Sequence, residues 1–204
     1  MDMPMTKRAL RKAATRRTVL AAARTVFHER GYEGATIAAI SDAAGVSPGT
    51  VLNAASTKIG LLNAVMREDF ERLGADCETL AASLSGGARE VVGALLEQHL
   101  ARHCAELDLM AAMLGHCWLG QGEDFHDFYA NLDLAWRPVR DALDRAAAQG
   151  LIDETVALDD LTAFLQDAYL AVLRRCVTND LDLFSASELM RARLSMIFGA
   201  VAKG

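Results

Sequence analysis

The chain has 204 residues, of which 52% are apolar and 6% aromatic, with three prolines and a net charge of −6. That is enough apolar surface for a packed core, which excludes a disordered segment and a disulfide-stapled miniprotein. No apolar run reaches the roughly 18 residues that a membrane span needs, and residues 1–10 lack the apolar core of a secretory leader. The expectation is a cytoplasmic protein with no membrane contact. The four cysteines are scattered without metal-knuckle spacing and read as reduced thiols.

Alanine and leucine dominate and β-branched runs of strand length are absent, so the fold class predicted is all-α. A first helix is predicted from about Arg8 or Thr15 to Arg30, with Val19, Ala22, Ala23, Val26 and Phe27 in one apolar stripe and Gly31 as a left-handed stop. Thr36 can cap a second helix carrying Ile37 and Ile40, and Gly45 reverses the chain. Ser47 caps a third helix, with Pro48 at its first position, where a missing N–H does no harm. A fourth helix starts at Ser56 or Thr57 and runs to about Leu84, where Ser85-Gly86-Gly87 breaks it.

Further helices are predicted over 88–104, 107–119, 123–149, 159–177 and from Ser185 to about Val201. The segment 107–119 is apolar nearly all round and reads as buried. Gly120-Gln121-Gly122 separates two helices, Pro138 bends the longest, Gly150 stops it, and Ser185 to Glu188 has capping-box spacing.

Residues 36–58 have the layout of a helix-turn-helix, with Ser41 and Ala44 small where the helices cross and Ile40, Val46 and Val51 as a miniature core. Residues 1–60 hold nine Lys/Arg against four Asp/Glu, a balance of +5, so the remainder carries −11. A basic head on an acidic body suits a protein that meets DNA by one end. Arg16, Arg17, Thr36, Ser47, Thr50 and Lys58 are the candidate phosphate contacts. Pro48, Gly49, Leu52 and Asn53 are the candidates to face bases, Asn53 through an amide that can pair with adenine.

Residues 15–66 resemble the DNA-binding head of the TetR family of bacterial regulators. The likeness is carried by RTVFHERGY at 24–32, TIAAISDAAG at 36–45, VSPGTV at 46–51, and Lys58, Leu61 and Leu62. It implies a DNA-binding domain over 1–60, with its motif at about 36–56, and a helical effector-binding and dimerisation domain over 61–204. It further implies a ligand-responsive homodimeric repressor on a double-stranded operator, released by a small apolar or amphipathic effector, with no cofactor and no enzymatic activity. One departure stands out. After Val51 the family carries a tyrosine, a variable residue, a histidine or tyrosine, and a phenylalanine, where this chain has Leu52, Asn53, Ala54 and Ala55. The alternative is a helical ligand-binding or interaction protein whose recognition helix has lost DNA binding.

For the body, the effector candidates are His103, Met113, His116, Cys117, Phe128, Tyr129, Trp136 and Tyr169, aromatic and sulfur side chains with a few polar tips. His99, Met110, Trp118 and Phe125 belong to the same group, and each taken singly is better read as ordinary core. His99 and His103, four residues apart, could bind a metal with a neighbouring Cys or His, but no compact signature supports a metal site. Phe164, Ala168, Val172, Leu194, Ile197 and Phe198 on the last two helices are the candidate dimer interface.

Overall fold

The computed structural model describes residues 6–118, 123–178 and 180–201, and the expected break at Gly120-Gln121-Gly122 lies outside them. Among the described residues all nine elements are helices: α1 (Lys7–Gly34), α2 (Ile37–Ala44), α3 (Pro48–Leu52), α4 (Lys58–Ser83), α5 (Ala88–Cys104), α6 (Leu107–Trp118), α7 (Glu123–Ala148), α8 (Leu158–Val177) and α9 (Leu183–Val201). The all-α expectation holds. No helix among the described residues is long and apolar enough to cross a membrane.

The chain divides into two compact units. One comprises Met1–Asp69 with Ala112–Tyr129, the other Phe70–Ala111 with Ala130–Gly204. The division is therefore not one cut in the sequence.

In the first unit, the earlier of the two possible starts for α1 is realised, because Thr6 Oγ1 accepts from Ala9 N at 3.2 Å. Residues of α1 before Val19 bury nothing, and the apolar stripe Val19, Ala23, Val26 and Phe27 then enters the core. Gly31, at φ 66° and ψ 174°, interrupts the helix. The helical conformation resumes only to Gly34.

In the second unit, α5, α8 and α9 pack on one another, with Leu95, Leu96 and Leu100 of α5, Leu165 and Leu173 of α8, and Met190 and Leu194 of α9 buried. Gly150 has φ 72° and ends the turn after α7, as expected. Two expectations are corrected. First, α6, whose residues divide between the two units, is not buried all round: Leu109, Met110, Met113 and Leu114 are buried, while Asp108 and Gly115 are exposed. Second, α9 begins before Ser185. Asp182 Oδ1 accepts from Ser185 N at 2.8 Å, so a carboxylate one turn earlier takes the capping role. That bond, with a second from the Ser185 side chain, holds the Asp182 carboxyl below its ordinary pKa.

Candidate functional site

The head is built from caps. Thr36 Oγ1 accepts from Ala39 N at 3.1 Å and starts α2. Gly45, at φ 65° and ψ 33°, ends it in the left-handed conformation that a side chain resists. Ser47 Oγ accepts from Thr50 N at 3.2 Å and shares a 2.9 Å bond with the Thr50 hydroxyl. Ile40 and Val51 are fully buried, and Ser41 turns its hydroxyl onto the Ala38 carbonyl, which lets a small polar residue sit inside.

This frame leaves Ser47, Pro48, Gly49, Leu52 and Asn53 exposed on and beside α3, with Thr50 half-buried and Leu52 43% exposed. The helix is only five residues long and Asn53 caps its end. Ala54 and Ala55 are half-buried. Arg16 and Arg17 are exposed on α1, in a stretch where Lys7, Arg8, Arg11 and Lys12 are also exposed and no acidic residue occurs between Asp2 and Glu29. Like charges spaced four apart on a helix repel by a few tenths of a kcal/mol each, roughly. A polyanion would relieve that repulsion.

Lys58 has a different setting. Its Nζ donates to the carbonyls of Tyr32 at 2.9 Å and Ala35 at 3.2 Å, and lies 4.2 Å from the centre of the Tyr32 ring. The interruption at Gly31 turns these carbonyls outward from α1, and the ammonium ties them to the start of α4. Thr57 Oγ1 caps α4 by accepting from Gly60 N. A further tie was not foreseen from the sequence: Arg24 donates to Asp69 Oδ2 at 2.6 Å and to the Val65 carbonyl at 2.7 Å. The apolar neighbours of Arg24 give it away as half-buried, but nothing in the sequence names a partner 45 residues on.

The effector candidates fall into two groups. His103, Trp136 and Tyr169 come together in the second unit, with His99 among them. Met113, His116, Phe128 and Tyr129 belong to the first unit. There His116 meets the Tyr32 ring edge-on at 5.3 Å, and buried Phe128 meets exposed Tyr129 at 5.3 Å. The side chains of Cys117, Trp118 and Phe125 lie outside the described residues.

In the second unit the Tyr169 hydroxyl lies 2.6 Å from His103 Nδ1. Burial raises the Tyr169 pKa well above its ordinary value, so the hydroxyl keeps its proton and donates. Burial also drives His103 down to about 3, with help from His99 and Arg102, and His99 down to about 4, weakly opposed by the Ala135 backbone. Both rings are neutral. Among the described residues no cluster of three or more His, Cys, Asp or Glu could hold a metal. Cys104 pairs by hydrogen bond with Cys176 of α8, a neighbour that sequence spacing could not reveal. An open groove of about 430 Å³ runs between α5 and α9, bordered by Arg89, Glu97, Arg191 and Leu194, and none of the effector candidates lines it.

On the dimer candidates, Val172, Leu194 and Phe198 are buried, Ala168 and Ile197 half-buried, and Phe164 60% exposed. Met196 of α9, which was not among them, is 68% exposed. Periodicity marked the apolar faces of α8 and α9 but not which part of each stays uncovered in one chain.

Residues 19–65 match the sequence model of a family described as bacterial regulatory proteins, tetR family. The HTH-type transcriptional repressor Rv1474c of Mycobacterium tuberculosis is 41% identical over 63 residues, 31% of this chain and 34% of that protein. The matched segment thus spans about a third of that relative's length. Among solved structures, Thermus thermophilus FadR, a TetR-family transcriptional repressor in complex with lauroyl-CoA, superposes with a TM-score of 0.76. It is 22% identical, with 93% of this chain and 96% of that chain covered. RolR in complex with resorcinol gives 0.72 at 23% identity, covering 96% and 91%. At these identities the likeness concerns the fold. Taken with the capped head at 36–58, residues 19–65 are similar to the DNA-binding head of the tetR family, and the chain as a whole shares the fold of these solved regulators.

Proposed function

We propose that this chain is a homodimeric, effector-responsive transcriptional repressor of the cytoplasm, without catalytic activity or cofactor. The observation that carries the reading is the Ser47-capped α3, whose Pro48, Gly49, Leu52 and Asn53 are exposed beside an uninterrupted run of cations on α1. Arg16, Arg17, Thr36, Ser47 and Thr50 contact phosphates. Asn53 reads a base edge, and Leu52 offers an apolar contact of the kind a thymine methyl accepts. Lys58 supports the head from behind rather than touching DNA.

Two heads must act together, because a palindromic operator needs a two-fold protein. The exposed Phe164 and Met196 on α8 and α9 support a four-helix contact with a second copy. The solved relatives bound to lauroyl-CoA and to resorcinol support an effector held by the body. An effector acts by preferring a dimer whose heads no longer fit both half-sites.

The test is a mobility shift with the DNA upstream of the gene, over a range of salt. Binding whose logarithm falls linearly with log salt is expected. Absence of binding at every ionic strength would leave a helical binding protein with an idle head.

A further inference from the structure

The ring cluster in the second unit has an unusual polar content. His99 stands 5.7 Å from Trp136, 5.9 Å from Tyr169 and 6.0 Å from His103, all edge to face or nearly so. Trp136 meets Tyr169 at 5.6 Å, and Phe70 closes on His103 at 5.4 Å. His99, Trp136 and Tyr169 have no exposed surface, and His103 has 4%. Within the cluster the Tyr169–His103 bond satisfies one pair. Neither nitrogen of His99 nor the indole nitrogen of Trp136 reaches a hydrogen-bond partner. The Ala135 backbone lies near His99 without bonding geometry.

Three unpaired nitrogens in one buried cluster are costly, at roughly 1–3 kcal/mol for each orphaned polar group. Cores rarely retain such groups unless something else meets them. Their chemistry says what that occupant is. The indole N–H only donates, so the occupant must present an acceptor. A neutral imidazole has one donor and one acceptor, so the occupant must also be able to donate to it. Arg102 is half-buried and acts on His103, but no Lys or Arg acts on His99, so an anion beside His99 and Trp136 would enter without a close counter-charge. A cation would face the donor side of Trp136. The ring edges and faces around His99 favour a flat aromatic body.

We propose that His99 and Trp136 form the polar end of an effector site for a small, uncharged aromatic alcohol, whose hydroxyl accepts from Trp136 Nε1 and exchanges a hydrogen bond with His99, while Tyr169 and Phe70 flank its ring. As an effector site this rests on the repressor reading above; as a binding site it does not. Entry requires one of the rings to turn aside. The Tyr169–His103 bond is the one internal bond at risk, which leaves the His99–Trp136 side freer to open.

The experiment uses the full chain with 15N-labelled histidine, and phenol and benzoate as probes. Benzoate has the same ring with a charge in place of the hydroxyl. Saturable shifts of the His99 ring signals and a raised melting temperature are expected with phenol, and neither with benzoate. Trp136→Phe keeps a ring and removes the donor, and should weaken phenol binding about tenfold. Should that variant not fold, His99→Leu replaces it, with the same expectation read from the His103 signals. Phenol leaving the histidine signals unmoved, benzoate binding as well as phenol, or an unchanged phenol affinity in the variant would overturn the proposal. A mobility shift on the same sample separates the two readings. A chain that binds operator yet ignores phenol refutes this site and keeps the repressor. A chain that binds phenol but no DNA keeps the site and removes its regulatory role.

Discussion

Gly74 of α4 lies against the backbone carbonyl that Pro138 of α7 leaves without a helical donor. In a regular helix the N–H of residue 138 would bond the carbonyl of Leu134. Proline has no N–H, yet α7 runs through it. A Cβ added at Gly74 would stand 2.6 Å from that Leu134 oxygen, closer than real carbons approach. The missing side chain and the missing amide thus meet at one atom. Gly74→Ala should cost roughly 1–3 kcal/mol, read by urea denaturation. Combined with Pro138→Ala, which returns the amide to Leu134, the two changes should depart from additivity by more than about 0.5 kcal/mol.

Lys58 should behave as a structural residue. Removing its ammonium takes the side-chain donor from the Ala35 carbonyl, leaves the Tyr32 carbonyl with only the Ala35 N–H, and ends the ring contact with Tyr32. Lys58→Met is expected to lower stability by about 1–3 kcal/mol. The salt slope of operator binding should stay that of the parent. A slope reduced by about one ion, with stability unchanged, would return Lys58 to the DNA surface.

Arg16 and Arg17 should show the opposite pattern. Both are exposed. Arg16→Gln and Arg17→Gln should each weaken operator binding across all sequences and reduce the slope of log affinity against log salt by roughly 1. Melting temperature should hardly move.

Acid should loosen the second unit. His99 and His103 are pushed to about 4 and about 3 by burial, below the unfolded value of 6.5. Between those limits the unfolded chain binds more protons than the folded one. Their contribution is therefore intact above about pH 6.5 and declines as the pH falls, by up to about 1.4 kcal/mol per pH unit for each histidine. His99→Phe should make that decline shallower between pH 6 and 4, measured by denaturation at fixed pH steps.

Phe164 and Met196 should decide association. Each is a large apolar side chain left mostly uncovered. Phe164→Glu or Met196→Glu should shift sedimentation toward the monomer at micromolar concentration and weaken operator binding in parallel, with the helical signal retained. Unchanged sedimentation in both variants would move the interface elsewhere.

What the sequence revealed follows from the range of each interaction. Caps act within three residues, so Thr36, Gly45 and Ser47 could be read directly. Near-repeats of the same signal mislead: Asp182 and Ser185 both suit a cap, and the helix takes the earlier one. The carbonyls of Ala35 and Tyr32 that hold Lys58 lie 23 and 26 residues away, beyond any signal a local pattern carries. The bond between His103 and Tyr169 spans 66 residues, and no pattern in either helix announces it. His99 and His103 share a face, as their spacing requires, and that face is the interior, where both rings are held neutral.

The brevity of α3 has a further consequence. Five residues make little more than a single turn, and on the proposed reading such a stub would touch only a handful of nucleotide edges. One subunit alone would therefore discriminate poorly among genomic sites, and selectivity would have to arise from the fixed separation of two stubs, which makes any small change in that separation an efficient off-switch.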